Sequence, residues 1–173
     1  MKTDALKDIL KDDYEFEVKD AANLTITELG RSDKAPAMMY SYSFKSGDLV
    51  KKTGPNYLID IGKLIEGQVS IESEALKRDQ NVYFPNARSF RHVITLEIPA
   101  DYQVQGLDKL ATRVENANGG FVSTVKEEQG KVIIETYKHY DVMYAPKTEW
   151  SNIVAFINAA HNFTQQKILL RKK

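Results

Sequence analysis

A β-hairpin is encoded by residues 121–140, whose sequence is FVSTVKEEQGKVIIETYKHY. Residues 121–127 and 131–140 are rich in β-branched and aromatic side chains, which are enriched in strands. Between them, residues 128–130 form a short polar connection that ends in glycine, as is typical of hairpin loops. The sequence therefore predicts two antiparallel strands joined by a tight turn.

Alternation with a period of two extends this prediction beyond the hairpin. Residues 90–98, FRHVITLEI, place His92 and every second residue after it on one face, and Pro99 ends the strand because proline donates no hydrogen bond to a sheet. Residues 37–45 alternate in the same way. Several short strands spaced by about 8–12 residues are typical of an antiparallel sandwich or barrel.

Helical periodicity is confined to two segments. Residues 2–13 predict a short amphipathic helix, and a second helix is predicted near residues 147–161, where Trp150 opens an apolar stripe and anchors the helix to the sheet. The predicted fold class is mainly β, an antiparallel β-sandwich of the immunoglobulin or fibronectin type with one or two packed helices. Residues 1–35 are predicted to hold the N-terminal helix, a linker and the first strands, and residues 36–173 to form the sandwich.

Composition excludes several classes of function. Hydrophobic residues make up 42% of the 173 residues, which is enough for a folded core. Lys and Arg number 24 and Asp and Glu also number 24, so the chain lacks the basic excess of a nucleic-acid-binding protein. We find no apolar run long enough to span a membrane and no signal peptide at the start. The absence of cysteine excludes disulfides, thiol catalysis and thiolate metal sites.

The sequence contains no recognisable catalytic or metal-binding motif. None of the histidines has a partner at metal-ligand spacing, and phosphate-loop and dinucleotide-binding motifs are absent. His139 and Asp141 share a face of the predicted strand, which allows a hydrogen bond between them; the favoured alternative is a histidine at the strand end near a solvated aspartate. A Ser–His–Asp site around this pair is a minor hypothesis, because no Gly-x-Ser-x-Gly elbow accompanies it. We therefore assign no catalytic residue, no metal ligand and no cofactor.

Aromatic residues are the remaining candidates for a binding site. Tyr137, Tyr140 and Tyr144 lie near the end of the predicted hairpin, and exposed rings of this kind hold a sugar ring or a peptide. The alternative is that the same rings fill the core. Core packing is the expected role of the one-sided stripe of Tyr40, Tyr42 and Phe44.

A recurring pattern begins at residues 83–88, YFPNAR, and continues through the strand that ends at Pro99 to residues 100–102, ADY. The run GFVS at 120–123, the glycine-containing hairpin and the helix that begins near Trp150 follow in order. This order resembles that of a C-terminal β-sandwich domain of unknown function, which follows a transglutaminase-like domain of papain type in large secreted proteins of Bacteroides-type bacteria.

The resemblance implies an upstream catalytic domain of the same polypeptide as the partner, and a periplasmic or cell-surface location for the parent protein. It also implies that residues 1–35 are the remnant of the junction to that domain. The papain-type active site requires a cysteine, which this chain lacks, so no catalytic residue is carried over. We therefore expect a non-catalytic accessory domain, not an enzyme, that orients or extends the catalytic core.

This accessory role predicts an exposed apolar patch where the partner domain docks. The alternative hypothesis is a stand-alone glycan- or peptide-binding module that uses Tyr137, Tyr140 and Tyr144. The two hypotheses differ in whether these rings line an open cleft.

Overall fold

The computed structural model describes Tyr14, residues 16–29 and residues 38–173. The helix predicted at residues 2–13 lies outside these residues. The strands of the described part, numbered in chain order, are β1 Lys19–Leu29, β2 Met38–Lys45, β3 Val50–Thr53, β4 Asn56–Ile59, β5 Val82–Tyr83, β6 Arg88–Glu97, β7 Tyr102–Gln105, β8 Thr112–Asn116, β9 Gly119–Glu128, β10 Lys131–Tyr140, β11 Tyr144–Ala145 and β12 Ile168–Lys172.

The described strands form two four-stranded sheets and two smaller pairs. The first sheet has the order β6-β10-β9-β8 and the second the order β3-β4-β12-β7, while β1 pairs with β2 and β11 with β5. Every pairing between described strands is antiparallel. A mainly β fold with antiparallel sheets is therefore confirmed. The immunoglobulin- or fibronectin-like arrangement of these sheets stays a prediction.

The predicted hairpin is confirmed as β9 and β10, which pair along their whole length from Lys131 opposite Glu128 to Tyr140 opposite Gly119. Gln129 and Gly130 both have positive φ, at 50° and 76°, as the tight hairpin turn requires. The sequence analysis missed β8, whose five residues include only one apolar side chain. Pairing with β9 produces this strand, because its own composition carries little strand signal.

The inner face of the first sheet builds the core. Val132, Ile134 and Tyr140 alternate along β10 and are buried, as the predicted period of two requires. On β6, residues 92, 94 and 96 are half-buried and their neighbours are exposed, which confirms the predicted face. Buried residues of β4, β12 and the helix belong to the same hydrophobic cluster.

A single α-helix is present in the described residues, α1 Trp150–Thr164, preceded by a 3-10 turn at Lys147–Glu149. The helix predicted near 147–161 is therefore correct in type and lies three residues further along. Packing of α1 against β9 and β8 is visible in the ring pair Phe121–Phe163, whose centroids lie 5.8 Å apart.

Trp150 anchors the start of α1 and belongs to the same core cluster as buried residues of the sheet. Its Nε1–H donates a hydrogen bond of 2.8 Å to the carbonyl oxygen of Ala75, in a 3-10 turn at Ser73–Leu76. This turn lies in a segment whose conformation the sequence left undecided. The Arg78 guanidinium carbon lies 4.8 Å from the centre of the indole ring, so the same segment covers one ring face.

The segment before this turn is tied to half-buried residues of α1. Asn158 donates to the carbonyl oxygen of Ile71 and accepts from its N–H, at 3.1 and 2.8 Å. Nδ1 of His161 lies 3.0 Å from the carbonyl oxygen of Gln68. These bonds hold Gln68 between the helix and strand β10, where it contacts Lys138.

A second, smaller aromatic cluster lies beside the β1–β2 pair. Phe16 is buried, and its ring centroid lies 5.0 Å from that of Tyr14 and 5.7 Å from that of Phe44. Tyr42 stacks on Phe44, and both rings are half-buried in this smaller cluster and not in the main core. The side chain of Tyr40, the third ring of the predicted stripe, lies outside the described part of the structure. The β1–β2 pairing joins the two predicted domains, 1–35 and 36–173, whose boundary stays a prediction.

Candidate functional site

The three tyrosines predicted as a binding site do not form one surface. Tyr137 and Tyr140 lie three positions apart on β10, so their side chains point to opposite faces of the sheet. Tyr137 is 40% exposed on the outer face, whereas Tyr140 is only 7% exposed on the inner face. Tyr144 belongs to β11, which pairs with a different strand.

Tyr140 is a core residue. Its ring centroid lies 5.0 Å from that of Phe84 and 5.3 Å from that of Phe156 on the helix. Burial raises the pKa of its hydroxyl above the ordinary value, and the nearby Arg88 guanidinium acts in the opposite direction. Tyr140 therefore agrees with the alternative hypothesis, in which these rings fill the core.

Tyr144 lies in an exposed apolar patch, defined here as the patch of Tyr83, Met143 and Tyr144. The Tyr83 and Tyr144 rings face each other across the β5–β11 pair with centroids 5.0 Å apart and planes tilted by 59°. The three side chains are 74%, 60% and 48% exposed, in that order. The sequence analysis missed Tyr83 and Met143 as surface residues, because a pairing between segments so distant in sequence leaves no local signal.

Tyr137 lies in a second group, on the outer face of the first sheet. Its ring stacks on the imidazole of His139 with centroids 5.0 Å apart and an interplanar angle of 22°. The hydrogen bond that the strand geometry allows between His139 and Asp141 is present: the Nδ1–H donates to the carboxylate, at 2.9 Å from Oδ1 and 3.0 Å from Oδ2. On the other side of the ring, Oε1 of Glu115 lies 3.5 Å from Nε2, and Glu115 also pairs with Arg113.

His139 is thus held between two carboxylates and beneath an aromatic ring. Its side chain is 13% exposed, and Nε2 is buried without a hydrogen bond. Among the described residues, His139 is hydrogen-bonded to Asp141, His92 to Thr136 and His161 to the carbonyl oxygen of Gln68. No serine hydroxyl therefore completes a Ser–His–Asp arrangement in this part of the chain. The Ser–His–Asp hypothesis therefore gains no geometric support from this part of the chain.

Metal-binding geometry is also absent from residues 14, 16–29 and 38–173, which contain no group of three or more His, Asp or Glu side chains arranged to hold an ion. In this same part of the chain, no helix has the length and apolar character needed to cross a membrane.

Positively charged and aromatic side chains also lie side by side on the inner face of β6 and β10. Arg88 and Lys138 lie there beside the rings of Phe90 and Tyr140, next to a cavity of about 170 Å³. The sequence analysis did not single out Arg88 or Lys138 as binding residues, because their proximity depends on the register of the two strands.

Comparison with known proteins gives a family but no close relative. A family described as a domain of unknown function with a solved structure, DUF3858, matches residues 61–170, which is more than half of the chain. No curated protein and no solved structure matches the chain. The matched region begins in the turn after β4 and ends in β12, so it contains the first sheet and α1. The chain therefore belongs to the DUF3858 family of domains of unknown function.

Proposed function

We propose that this chain is a non-catalytic accessory domain of a transglutaminase-like surface or periplasmic protein, and that it docks on the catalytic core through the patch of Tyr83, Met143 and Tyr144. In this proposal the two four-stranded sheets are the layers of a β-sandwich. The domain orients or extends the core, and the chemistry belongs to the partner domain.

The observation that carries the proposal is the exposure of this patch. The two rings of the β5–β11 pair and the neighbouring Met143 each have about half or more of the side chain accessible. Aromatic residues and methionine are enriched in protein interfaces, and inter-domain interfaces of about 600–1,500 Å² need such apolar anchors. The resemblance to a domain that follows a transglutaminase-like domain supports the choice of that domain as the partner.

The direct test is binding between this chain and the transglutaminase-like domain encoded upstream in the same reading frame. The two would be produced separately and mixed in a calorimeter, with hydrogen exchange followed on both. We expect association with protection of residues near Tyr83 and Tyr144. A Tyr83→Ser/Tyr144→Ser variant should weaken binding by about tenfold or more, because truncation of a central aromatic anchor costs about 2 kcal/mol or more.

A matched control uses apolar side chains of similar exposure elsewhere. Val50 and Leu76 are 45% and 47% exposed, close to the 48% of Tyr144, so a Val50→Ser/Leu76→Ser variant removes exposed apolar side chains away from the patch. Its affinity should stay within about twofold of the unmodified chain. A reading frame without a transglutaminase-like domain, or equal losses in the two double variants, would overturn the proposal.

The second candidate is a stand-alone glycan- or peptide-binding module. The ring pair Tyr83–Tyr144 favours it, since two exposed rings beside each other are suited to a sugar ring or to an apolar peptide side chain. Glycan and peptide arrays probed with the chain and with Tyr83→Ser/Tyr144→Ser distinguish the two functions. A specific hit that the variant loses would favour the binding module, and an array without hits would count against it.

A further inference from the structure

An open cleft of about 170 Å³ lies on the inner side of the first sheet, at the edge formed by β6 and β10. One wall is the segment around Gln68, and the other consists of Arg88, Phe90, Lys138 and Tyr140. The register places Arg88 opposite Tyr140 and Phe90 opposite Lys138, so all four side chains rise from the same face. The cleft is separate from the patch of Tyr83, Met143 and Tyr144.

The two cations of the cleft, Lys138 and Arg88, contact a side-chain amide and aromatic rings. Nζ of Lys138 donates to the amide oxygen of Gln68 at 2.8 Å and lies 5.4 Å from the centre of the Tyr140 ring. The Arg88 guanidinium carbon lies 5.1 Å from the centre of the same ring and 5.9 Å from that of Phe90. Within the described residues neither cation forms an ion pair, although Glu66 also lines the cleft.

The outer faces of the same two strands provide a comparison. Arg91 of β6 pairs with Glu135 at 2.7 Å, and Lys131 of β10 pairs with Glu97 at 3.0 Å. These exposed cations are neutralised although water already screens them. The half-buried Lys138, where a counter-ion matters more, is left with a neutral amide and a second cation.

The surroundings of Lys138 lower the pKa of its ammonium group. Burial, and secondarily the charge of Arg88, lower the pKa of its ammonium group from an ordinary 10.5 to about 8. An anion placed between the two cations would favour the charged form of Lys138 and offset their repulsion.

We propose that this cleft binds the carboxylate of a small organic acid. Arg88 supplies the planar pair of N–H donors that matches a carboxylate, and Lys138 supplies a second positive charge. The rings of Phe90 and Tyr140 line the remaining space, which suits an apolar or aromatic body on the acid. The volume of about 170 Å³ accommodates a group about the size of a benzoate ion or of one terminal amino-acid residue. This site goes beyond the proposed docking function and does not depend on it.

Titration with three probes tests the site: benzoate, the uncharged isostere benzamide, and inorganic phosphate. Binding would be followed by calorimetry and by amide NMR shifts of residues around the cleft. We expect saturable benzoate binding with a millimolar dissociation constant and binding of benzamide weaker by about tenfold or more, because charge-assisted hydrogen bonds carry the recognition. Phosphate binding as tight as that of benzoate would overturn the assignment to a carboxylate, and no binding of any probe up to about 50 mM would overturn the site.

Matched variants on the same strands assign the binding to the cleft. Arg88→Gln and Lys138→Met should each weaken benzoate binding by about fivefold or more, whereas Arg91→Gln and Lys131→Met on the outer face should change it by less than about twofold. Equal effects of inner and outer variants would show that the ion responds only to net charge and would contradict the proposal. Far-ultraviolet circular dichroism would check that each variant is folded.

An NMR titration of the Lys138 amine is a second readout that does not depend on any substitution. Bound benzoate should raise the pKa of Lys138 from about 8 toward 10.5, because an adjacent negative charge favours the ammonium form. A Lys138 pKa that stays unchanged when benzoate saturates the protein would overturn the proposed contact.

Discussion

Oε1 of Glu115 lies 3.5 Å from Nε2 of His139, although these residues belong to strands that are not neighbours. Strand β9 runs between them, and its residue opposite both is Gly120. Since glycine has no side chain, the imidazole and the carboxylate meet in the space above it. The outer-face group of Tyr137, His139 and Asp141 therefore depends on a residue that contributes no functional atom.

Replacing Gly120 by alanine should displace these side chains. A Cβ there would lie 2.6 Å from Cγ of Glu115 and 2.8 Å from Nε2 of His139, both closer than such atoms approach in proteins. We expect Gly120→Ala to lower the free energy of unfolding by about 1–3 kcal/mol, as overpacking usually does. Urea denaturation measures this loss.

A second substitution tests whether the Glu115 side chain is the obstacle. Glu115→Ala removes Cγ, so Gly120→Ala should cost distinctly less in that background than in the unmodified chain. Additive losses in the double variant would contradict this explanation.

Gly62→Ala should be more damaging than Gly120→Ala. Gly62 lies in a 3-10 turn, Ile61–Leu64, against the C-terminal end of α1, and a Cβ would contact the carbonyl oxygen of Phe163 and lie 2.8 Å from that of Thr164. These atoms belong to the backbone and cannot move aside as a flexible side chain does. We expect a loss of about 3 kcal/mol or more, or failure to fold.

The control for this prediction is Gly47→Ala. An added Cβ at Gly47 has no neighbour within 4 Å, so the change should shift stability by less than about 0.5 kcal/mol. Equal melting temperatures of Gly62→Ala and Gly47→Ala would show that the end of α1 does not pack on this turn.

Trp150→Phe should weaken the attachment of the helix start to the Ser73–Leu76 turn. Phenylalanine keeps a ring beneath Arg78 but has no N–H, so the carbonyl oxygen of Ala75 loses its 2.8 Å hydrogen bond. We expect a loss of about 1–2 kcal/mol in chemical denaturation. Unchanged stability in Trp150→Phe would argue against this hydrogen bond.

In a separate variant, Arg78→Gln, loss of the cation–π contact should cost about 0.5–1 kcal/mol.

Lys138→Met should stabilise the unliganded protein below pH 8. The pKa of Lys138 is about 8 in the folded chain and 10.5 ordinarily, so the unfolded chain binds more protons between these values and stability rises with pH. Lys138→Met removes this cost, and we expect it to be more stable at pH 7 by roughly 1–2 kcal/mol, a value reduced for partial solvent screening. The gain should disappear as the pH rises from 8 toward 10.5.

The other charged groups near Lys138 do not produce the same profile. Arg88 is the second cation beside Lys138. Burial lowers the pKa of His92 below its ordinary 6.5, and burial raises the pKa of Tyr140 above its ordinary 10.0. Glu66 lines the same cleft. Lys131→Met is the matched control on the same strand, since Lys131 is an exposed residue paired with Glu97, and its stability difference should stay flat from pH 7 to 10. A flat profile for Lys138→Met would contradict the prediction.

Prediction from sequence succeeded where the signal was local. The β9–β10 hairpin has two residues with positive φ at its turn and strands of alternating burial, and both features depend on residues adjacent in the chain. The same holds for His139 and Asp141, which a strand places on one face. The short strand β8 escaped prediction, because only its partner β9 makes it a strand.

Prediction of the binding site failed because residues close in sequence need not be close in the fold. Tyr137, Tyr140 and Tyr144 are close in sequence, yet the sheet separates the first two onto opposite faces and a different strand pair holds the third. Tyr83 joins Tyr144 only through the β5–β11 pairing.

Local chemistry in the chain specifies the antiparallel hairpin, the main helix and the absence of thiol chemistry, since turn residues, side-chain periodicity and composition act over a few neighbouring positions. Only the tertiary structure brings three pairs of residues close together: Arg88 and Lys138, Glu115 and His139 on either side of Gly120, and Tyr83 and Tyr144. Each of these pairs depends on strand register, and register is set by the burial of whole faces and not by the residues that meet.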